Sequence, residues 1–288
     1  MEKKIVKCNA EFSAELVLSV PYAYWLHKNN LLEKTIGTID TKPLYFFSEN
    51  HEELPIQRTV NNDIGLKGLP NTWIHHNPAV SNDKPGILDF SQWLMPPFKD
   101  HYRNDIFVYD KPLLIISNKY AIEWGSDPTN FIDIQTLYEL IDCLQDKYTL
   151  IYKRPSKTDY MPDENELINV GDIQATLDTN EIITDYDLCR RMGVIVFNDL
   201  LDEYPDLSYN EFQFKLFANC DNYISVQGGN SHICALFGKT NINYIVRGKE
   251  LRPGYFDKDT WYYRMNGCDT IPVSTYTDLL NKVKELYI

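Results

Sequence analysis

The stretch "ISVQGGNSHICALFGKTNINYIV", residues 224–246, decides the fold of this chain. A short β-branched run enters a Gly-Gly turn, an apolar segment of helical length follows over 231–237, and a second strand-like run covers 243–246. Strands that alternate with a crossover helix are typical of parallel sheets. We therefore expect an α/β domain around this segment.

The same stretch contains Gly238-Lys239-Thr240, which resembles the end of a phosphate-binding loop. Such a loop needs a second glycine five positions earlier, before the helix, and Ile233 occupies that position. The tripeptide also falls at the carboxyl end of the predicted helix, where the helix dipole repels phosphate. The sequence therefore excludes a nucleoside-triphosphate loop and indicates a helix C-cap at Gly238.

The other end of this helix is better suited to an anion. Gly228 and Gly229 allow a ligand to approach the backbone closely, and Asn230 or Ser231 can cap the helix. The amides of the first turn would then point at the mouth of the parallel sheet. His232 could donate a hydrogen bond to a phosphate or a sugar hydroxyl. Taken alone, a tight turn followed by a buried histidine explains the pattern equally well.

The rest of the second half follows the same alternation. Strands are predicted at 113–117, 148–153, 194–197, 223–226 and 243–246, with helical spacing between them. Between residues 57 and 104 the chain is dense in Pro, Asn, Asp and Gly, which indicates long loops around a cleft. We predict two domains, 1–108 and 109–288, with the final amphipathic helix packed on whichever domain lies nearer.

Two basic residues follow predicted strands of the second domain. Lys119 comes two residues after the strand at 113–117, and Arg154 directly follows the strand at 148–153. Because the carboxyl ends of parallel strands share one edge, we expect both side chains beside Gly229. Two cations and a helix amino end are what a diphosphate requires.

Composition narrows the partners. The chain has 28 Lys and Arg against 41 Asp and Glu, a formal charge of −13, which disfavours nucleic acid. The amino end lacks a long apolar run, and the six cysteines stand singly, so we expect a cytoplasmic protein with no membrane segment.

Signals for a metal or a dinucleotide cofactor are poor. The sequence contains no G-x-G-x-x-G, and His75 and His76 are adjacent, so they face different ways. The two D-x-D patterns, Asp185-Tyr-Asp187 and Asp257-Lys-Asp259, follow no apolar strand, and we expect both to be solvated acids. We expect neither a metal nor a cofactor.

The amino-terminal segment places Glu11 and Glu15 one helical turn apart near a helix start. A carboxylate in this position could face the cleft between the domains and act as a general base. Acidic residues also favour helix amino ends for electrostatic reasons alone, and that interpretation remains open.

These motifs resemble a GT-B glycosyltransferase, and most closely the heptosyltransferase-like family. The similarity covers most of the chain in order: Glu15 six residues before Pro21, then Asn118-Lys119, then Gly229-Asn-Ser-His232 followed by Ala235 and Gly238. The chain departs from the family at Ala10–Ser13, where the family has glycines, at Glu15, where it has Asp, and at Gln227, where it has an acid.

The resemblance implies two facing Rossmann-like domains with parallel sheets, an acceptor-side first domain and a nucleotide-sugar-binding second domain. It implies inverting, metal-independent transfer of a sugar from a nucleotide-diphosphate donor to a glycan hydroxyl. Glu15 would be the base. The resemblance assigns Asn118, Lys119, Gly229, Asn230, Ser231 and His232 to the donor site. Arg154 and Gly228 join them by their positions after a strand and in the Gly-Gly turn, and Asn198 and Asp199 are candidates for the base and ribose only because they follow the strand at 194–197. Trp73 is a candidate stacking surface for the acceptor sugar.

Two alternatives remain open at this stage. A nucleotide-sugar epimerase or hydrolase would use the same cradle but would turn over donor without an acceptor. A non-catalytic glycan- or nucleotide-binding module would bind ligand and form no product.

Overall fold

A computed structural model describes residues 2–59, 66–67, 88, 90–122, 127–154, 171–177 and 179–288. Its two main sheets belong to successive parts of the chain: the first is built from residues up to Lys67, and the second from Leu113 onward. Parallel pairing dominates both sheets. The predicted α/β class is confirmed.

The first sheet contains four strands, β1 (Lys4–Cys8), β2 (Leu32–Thr38), β3 (His51–Leu54) and β4 (Leu66–Lys67). Their order in the sheet is β3-β2-β1-β4. Strands β1, β2 and β3 are parallel, whereas the two-residue β4 runs antiparallel to β1.

A long crossover helix, α1, joins β1 to β2. It consists of Phe12–Ala14, a π-helical segment Glu15–Ser19 and then Val20–Lys28. A single π-helical turn inside an α-helix often marks a functional position. Here that turn begins at Glu15. Two short 3₁₀ helices, Lys42–Tyr45 and Phe90–Gln92, lie farther along this part of the chain.

The second sheet contains six parallel strands, β5 (Leu113–Ser117), β6 (Thr149–Lys153), β9 (Ile195–Val196), β10 (Asn222–Val226), β11 (Thr240–Tyr244) and β12 (Asp269–Val273). Their order in the sheet is β12-β11-β10-β5-β6-β9. If the six strands are numbered along the chain and the sheet is followed from β9 to β12, the order is 3-2-1-4-5-6, the doubly wound arrangement whose order reverses between β5 and β10. Ligands of such sheets bind outside the carboxyl ends of the strands at this reversal.

Helices connect these strands, and a small antiparallel hairpin of β7 (Gln174–Thr176) and β8 (Ile182–Thr184) lies outside the main sheets. The remaining helices are α2 (Phe98–Tyr102), α3 (Ile134–Leu144), α4 (Asp185–Arg191), α5 (Phe197–Asp202), α6 (Tyr209–Ala218), α7 (Gly229–Phe237), α8 (Trp261–Arg264) and α9 (Tyr276–Tyr287), together with the 3₁₀ helix Lys249–Leu251. Among the residues that the structure describes, no helix is long and apolar enough to cross a membrane.

Two strands differ most from the sequence prediction. The strand predicted at 243–246 is β11, which starts three residues earlier at Thr240, because the turn at Gly238 leads directly into it. The strand predicted at 194–197 is only two residues long, and Phe197 already begins α5. The final helix, α9, lies on the second sheet, where the Tyr287 hydroxyl donates to the Tyr223 carbonyl at 2.8 Å.

The two sheets share one hydrophobic cluster. Phe98 of α2 lies edge-on to Phe214 of α6 and to Phe237 of α7, with ring centroids 5.5 and 6.2 Å apart, and the cluster continues to Val6 of β1 and Leu16 of α1. The two sheets are therefore connected by a continuous apolar core.

Lys99, the next residue along α2, adds a polar clamp. Its Nζ donates to the carbonyls of Cys220 and Phe237 at 2.9 and 2.6 Å and to the Asp221 carboxylate at 2.6 Å. The Phe237 carbonyl lies at the carboxyl end of α7, which a cation stabilises, and the Cys220 carbonyl lies in the loop between α6 and β10.

We predict that Lys99→Met lowers the free energy of unfolding by about 2 kcal/mol, because two carbonyls and a carboxylate lose a charged donor. The matched control is Lys282→Met, which removes an exposed ion pair with Glu285 within α9 and should cost less than about 0.5 kcal/mol. Urea unfolding midpoints measure both. Equal losses in the two variants would show that Lys99 is not a clamp.

Candidate functional site

The carboxyl ends of β5 and β10 meet at the reversal of the second sheet. Lys119, just beyond β5, donates from Nζ to the Gln227 Oε1, just beyond β10, at 3.0 Å. Gln227 in turn donates from Nε2 to the Glu250 carboxylate at 2.8 Å. The predicted meeting of Lys119 with the Gly-Gly turn is therefore observed: a Cβ added to Gly228 would lie 3.1 Å from the ammonium.

Glycine occupies the two positions of the Gly-Gly turn for different reasons, one conformational and one spatial. Gly228, the N-cap of α7, has φ of 120°, which disfavours any other residue, and no side chain caps the helix. At Gly229 the constraint is space, since a Cβ there would lie 2.9 Å from the Ser13 hydroxyl of α1. The amino ends of α1 and α7 therefore lie next to each other.

His232 lies in the first turns of α7 and is 8% exposed. Its ring packs edge-on against Trp261 and Tyr262, with centroids 5.1 and 5.3 Å apart. Neither ring nitrogen has a hydrogen-bond partner among the described residues. Burial, reinforced by the Lys119 charge, lowers the pKa of His232 to about 4, so the ring is neutral at pH 7. An unpaired buried polar group costs about 1–3 kcal/mol, and a ligand would satisfy it.

A second cation of the site, Lys153, is buried, unlike the half-buried Lys119, and was not predicted from the sequence as a site residue. It ends β6, is 2% exposed, and donates to the Asn230 Oδ1 at 2.9 Å. Its ammonium also lies over the rings of Phe197 and Tyr209, at 5.4 and 5.9 Å from their centroids. The signal that could have identified it is a lysine at the end of an otherwise apolar strand.

Asn118 organises the loop that carries Lys119. Its Oδ1 accepts from the amides of Lys119 and Ile132, each at 2.9 Å, while its Nδ2 donates to the Ile132 carbonyl at 2.9 Å and to the Tyr152 hydroxyl at 3.1 Å. These contacts use the whole buried amide. The hydrogen bonds of the Asn118 side chain therefore join this loop to neighbouring parts of the protein.

Ser231 holds the first turn of α7 in place. Its hydroxyl shares a hydrogen bond with the Tyr262 hydroxyl and accepts from Asn243 Nδ2 at 3.2 Å. Asn230 accepts from Lys153, as described above. The predicted residues Lys119, Gly228, Gly229, Asn230, Ser231 and His232 are thus brought together.

Arg154 belongs to a different cluster. Its guanidinium donates to Asp185 at 2.6 and 3.2 Å and to Asp172 at 2.8 Å, and Tyr152 also donates to Asp185. The prediction that Asp185 is a solvated acid is wrong, because its carboxylate is 0% exposed and neutralises this arginine. The structure gives Arg154 carboxylate partners instead of a place beside Gly229.

The remaining predicted residues lie elsewhere. Asp199 is exposed on α5 and accepts from Arg190 at 2.8 and 2.7 Å, which holds the pKa of its carboxyl below the usual value. Asn198, its neighbour at the start of α5, is half-buried. Trp73 lies outside the described residues.

Glu15 lies in the π-helical turn and is fully buried. The Tyr45 hydroxyl donates to its Oε1 at 2.8 Å, and Arg58 donates to its Oε2 at 2.5 Å. Glu11, at the N-cap of α1, is half-buried, and its side chain makes no capping hydrogen bond. Of the two acids, Glu11 is the one with exposed surface.

Among the described residues, no group of three His, Cys, Asp or Glu side chains is close enough to hold a metal ion. The polar groups that the described residues bring together here are two ammonium groups, the amino-terminal amides of α7 and a neutral histidine.

The similarity of this chain to known proteins is weak. No family model matches the chain, and no curated protein matches it. Two solved structures, of the wall teichoic acid polymerase TagF and of a single-residue variant of it, are similar at TM-scores of 0.30 and 0.31 with 12% and 13% identity. Each covers 92% of this chain, which spans 51% of the polymerase chain. The strand order described above, and not this likeness, defines the fold.

We predict that Glu15→Gln lowers the free energy of unfolding by about 3 kcal/mol, because it leaves the buried Arg58 charge without its carboxylate. The control is Asp199→Asn, which breaks an exposed pair and should cost less than about 1 kcal/mol. Thermal unfolding followed by circular dichroism measures both. A Glu15→Gln protein as stable as the parent would contradict the buried pair.

Proposed function

We propose that this chain is a glycosyltransferase that moves a sugar from a nucleotide-diphosphate donor to a hydroxyl of a glycan acceptor. The observation that carries the proposal concerns His232, a buried, neutral histidine in the first turns of α7, close to the Lys119 charge. Neither of its ring nitrogens has a hydrogen-bond partner among the described residues. This site lies at the reversal of a 3-2-1-4-5-6 sheet and faces a second α/β domain. Facing sheets of this kind are the GT-B arrangement that the sequence suggests.

A diphosphate suits this site better than other ligands would. The first-turn amides of α7 and the Lys119 ammonium offer positive charge, and neutral His232 can donate one N–H. The chain carries a net charge of −13, so an anion is attracted only where local groups outweigh that field. A nucleoside diphosphate provides oxygens for each donor.

The chemical step follows from this placement. The acceptor oxygen forms a bond to the anomeric carbon as the bond from that carbon to the diphosphate oxygen breaks, and the electron pair leaves with the diphosphate. Attack from the opposite face inverts the configuration. Lys119, the α7 amides and His232 would stabilise the charge that develops on the leaving group, without a metal.

The proton of the acceptor hydroxyl goes to a carboxylate at the amino end of α1. Glu15 is the residue that the sequence predicts for this role, and to act it must exchange its bond with Tyr45 or Arg58 for one with the acceptor. Glu11 is the second candidate, because it is half-buried and lies two residues before Ser13, which meets Gly229 across the cleft. Either would contact the acceptor from the first domain.

Other predicted contacts are retained as proposals. Asn198 and Asp199 follow β9, the strand next to β6, and we place the base and ribose of the donor toward them. Trp73 would stack on the acceptor sugar. Asn118 and Arg154 would act through the loops they hold.

The two alternatives predict different products. An epimerase or hydrolase would consume a nucleotide sugar when no acceptor is present. A binding module would bind nucleoside diphosphates and release no product with any donor and acceptor pair. A thermal-shift screen against nucleoside diphosphates and nucleotide sugars, followed by product analysis of the binders, separates the three.

We predict that Lys119→Met weakens binding of the best nucleoside diphosphate by roughly tenfold, about 1.4 kcal/mol, since one charged hydrogen bond is lost. Calorimetric titration measures the Kd. Lys239→Met is the charge-matched control, because Lys239 is exposed at the opposite end of α7 and pairs with Asp221. Loss of affinity in the control alone would place the ligand elsewhere.

We also predict that removing the base lowers kcat by at least about 100-fold while the Kd for nucleoside diphosphate stays the same. Glu11→Gln and Glu15→Gln are compared at a temperature where both remain folded. The variant that loses turnover with unchanged affinity identifies the base. Full transfer activity in both variants would remove the α1 carboxylates from the mechanism.

A further inference from the structure

A row of polar side chains crosses the second sheet beneath the first turn of α7. Lys153, Ser117, Ser225 and Asn243 are direct neighbours in the register of β6, β5, β10 and β11, so they lie on the same face. All four are buried, at 2% exposure or less. Such a row is unusual inside a parallel sheet, whose strands are normally apolar on both faces.

Some of the polar side chains in this row form hydrogen bonds to α7, and others do not. Asn243 donates to the Ser231 hydroxyl, and Ser225 donates to Asn241 at 2.8 Å. The Ser117 hydroxyl, in the middle of the row, has no hydrogen-bond partner among the described residues, as is true of both His232 nitrogens. Within the described part of the chain, one side chain of the sheet row and one of the helix that covers it therefore lack hydrogen-bond partners.

Lys153 is the one charged member of the row. Its hydrogen-bond acceptor within the described residues is the neutral Asn230 amide oxygen, and its other contacts are the rings of Phe197 and Tyr209. The next residue, Arg154, points to the opposite face of the strand and is neutralised there by Asp185 and Asp172. Buried charges in proteins are normally paired, and in the described part of the chain this one has no carboxylate.

We infer that Lys153 is a further anion-binding residue of this site, whose counter-ion is one phosphoryl group of the ligand. The inference rests on the proposed function for the identity of the ligand but needs only its phosphates. Lys119 and Lys153 contact the amino end of α7 through neighbouring positions, near Gly228 and at Asn230 respectively. A diphosphate has two charged groups to match the two ammonium groups.

Because Lys153 would lie next to the bound anion, anion binding should be coupled to the uptake of a proton by the protein. Burial lowers the pKa of Lys153 to about 8 in the unliganded protein. The titratable groups facing it are the Cys234 thiol of α7, whose pKa burial raises well above its ordinary value, and the Tyr209 phenol of α6. A phosphate next to the ammonium raises the pKa of Lys153 again, so the protein binds a proton with the ligand when the pH is near 8 or above.

The free energy of unfolding should also depend on the protonation of Lys153. The pKa of Lys153 in the folded chain lies below its ordinary value of 10.5, so the unfolded chain binds more protons between about pH 8 and pH 10.5. The free energy of unfolding therefore rises with pH through that window. At pH 7 the buried charge is a cost. Lys153→Met should therefore be more stable than the parent at pH 7, with an advantage that shrinks as the pH is raised.

The test is calorimetric titration of the full chain with inorganic pyrophosphate at pH 8, in two buffers of different ionisation enthalpy. Pyrophosphate also titrates, but its contribution is the same for every variant. The parent protein should take up about half a proton more than Lys153→Met, and Lys153→Met should bind at least about tenfold more weakly. Lys153→Arg, which does not titrate in this range, should keep the affinity and lose the extra proton uptake.

Each result has a distinct meaning. Equal proton uptake in the parent and in Lys153→Met, with binding intact, would overturn the role of Lys153 and leave the anion site standing. No binding of pyrophosphate to the parent would overturn the anion site itself. Proton-linked binding in a protein that transfers no sugar would support this inference and contradict the proposed reaction.

Discussion

The site depends on the parallel pairing of β5 with β10 at the point where the strand order reverses. This pairing sets the Ser117 and Ser225 positions level with each other. As a result Lys119 and Gln227, two residues farther along each strand, meet in a hydrogen bond. In doubly wound sheets, ligands bind beyond the carboxyl ends of the strands at this reversal. The amino end of α7 lies at this edge of the sheet, and the first-turn amides of a helix favour an anion.

The cations at the end of β6 have different surroundings on the two faces of the sheet. Tyr152 and Arg154 project to one face, where Asp185 receives hydrogen bonds from both. Lys153 projects to the other face, under α7, where it has a neutral amide oxygen and two aromatic rings. A buried ion pair is complete within the protein, whereas a buried ammonium held this way gains from an incoming anion.

Much of this could be read from the sequence. The alternation of apolar strands and helices predicted the α/β class, and the Gly-Gly turn located the amino end of α7. Lys119 was predicted correctly to lie beside that turn. Adjacent residues of a strand face opposite ways. For this reason Arg154 lies on the face of the sheet opposite to that of Ser117 and Lys119. The sequence could not show that a distant Asp185 completes Arg154, since that contact joins residues 31 positions apart. Nor could it show that Arg58 and Tyr45 would enclose Glu15.

The central claim is that the phosphates of a nucleotide donor occupy the space between His232, Lys119 and the amino end of α7. A crystal structure of the chain with a bound nucleoside diphosphate tests it most directly. The account predicts phosphate oxygens within hydrogen-bond distance of a His232 ring nitrogen and of a first-turn amide of α7. A diphosphate bound elsewhere, with both His232 nitrogens still without partners, would contradict it.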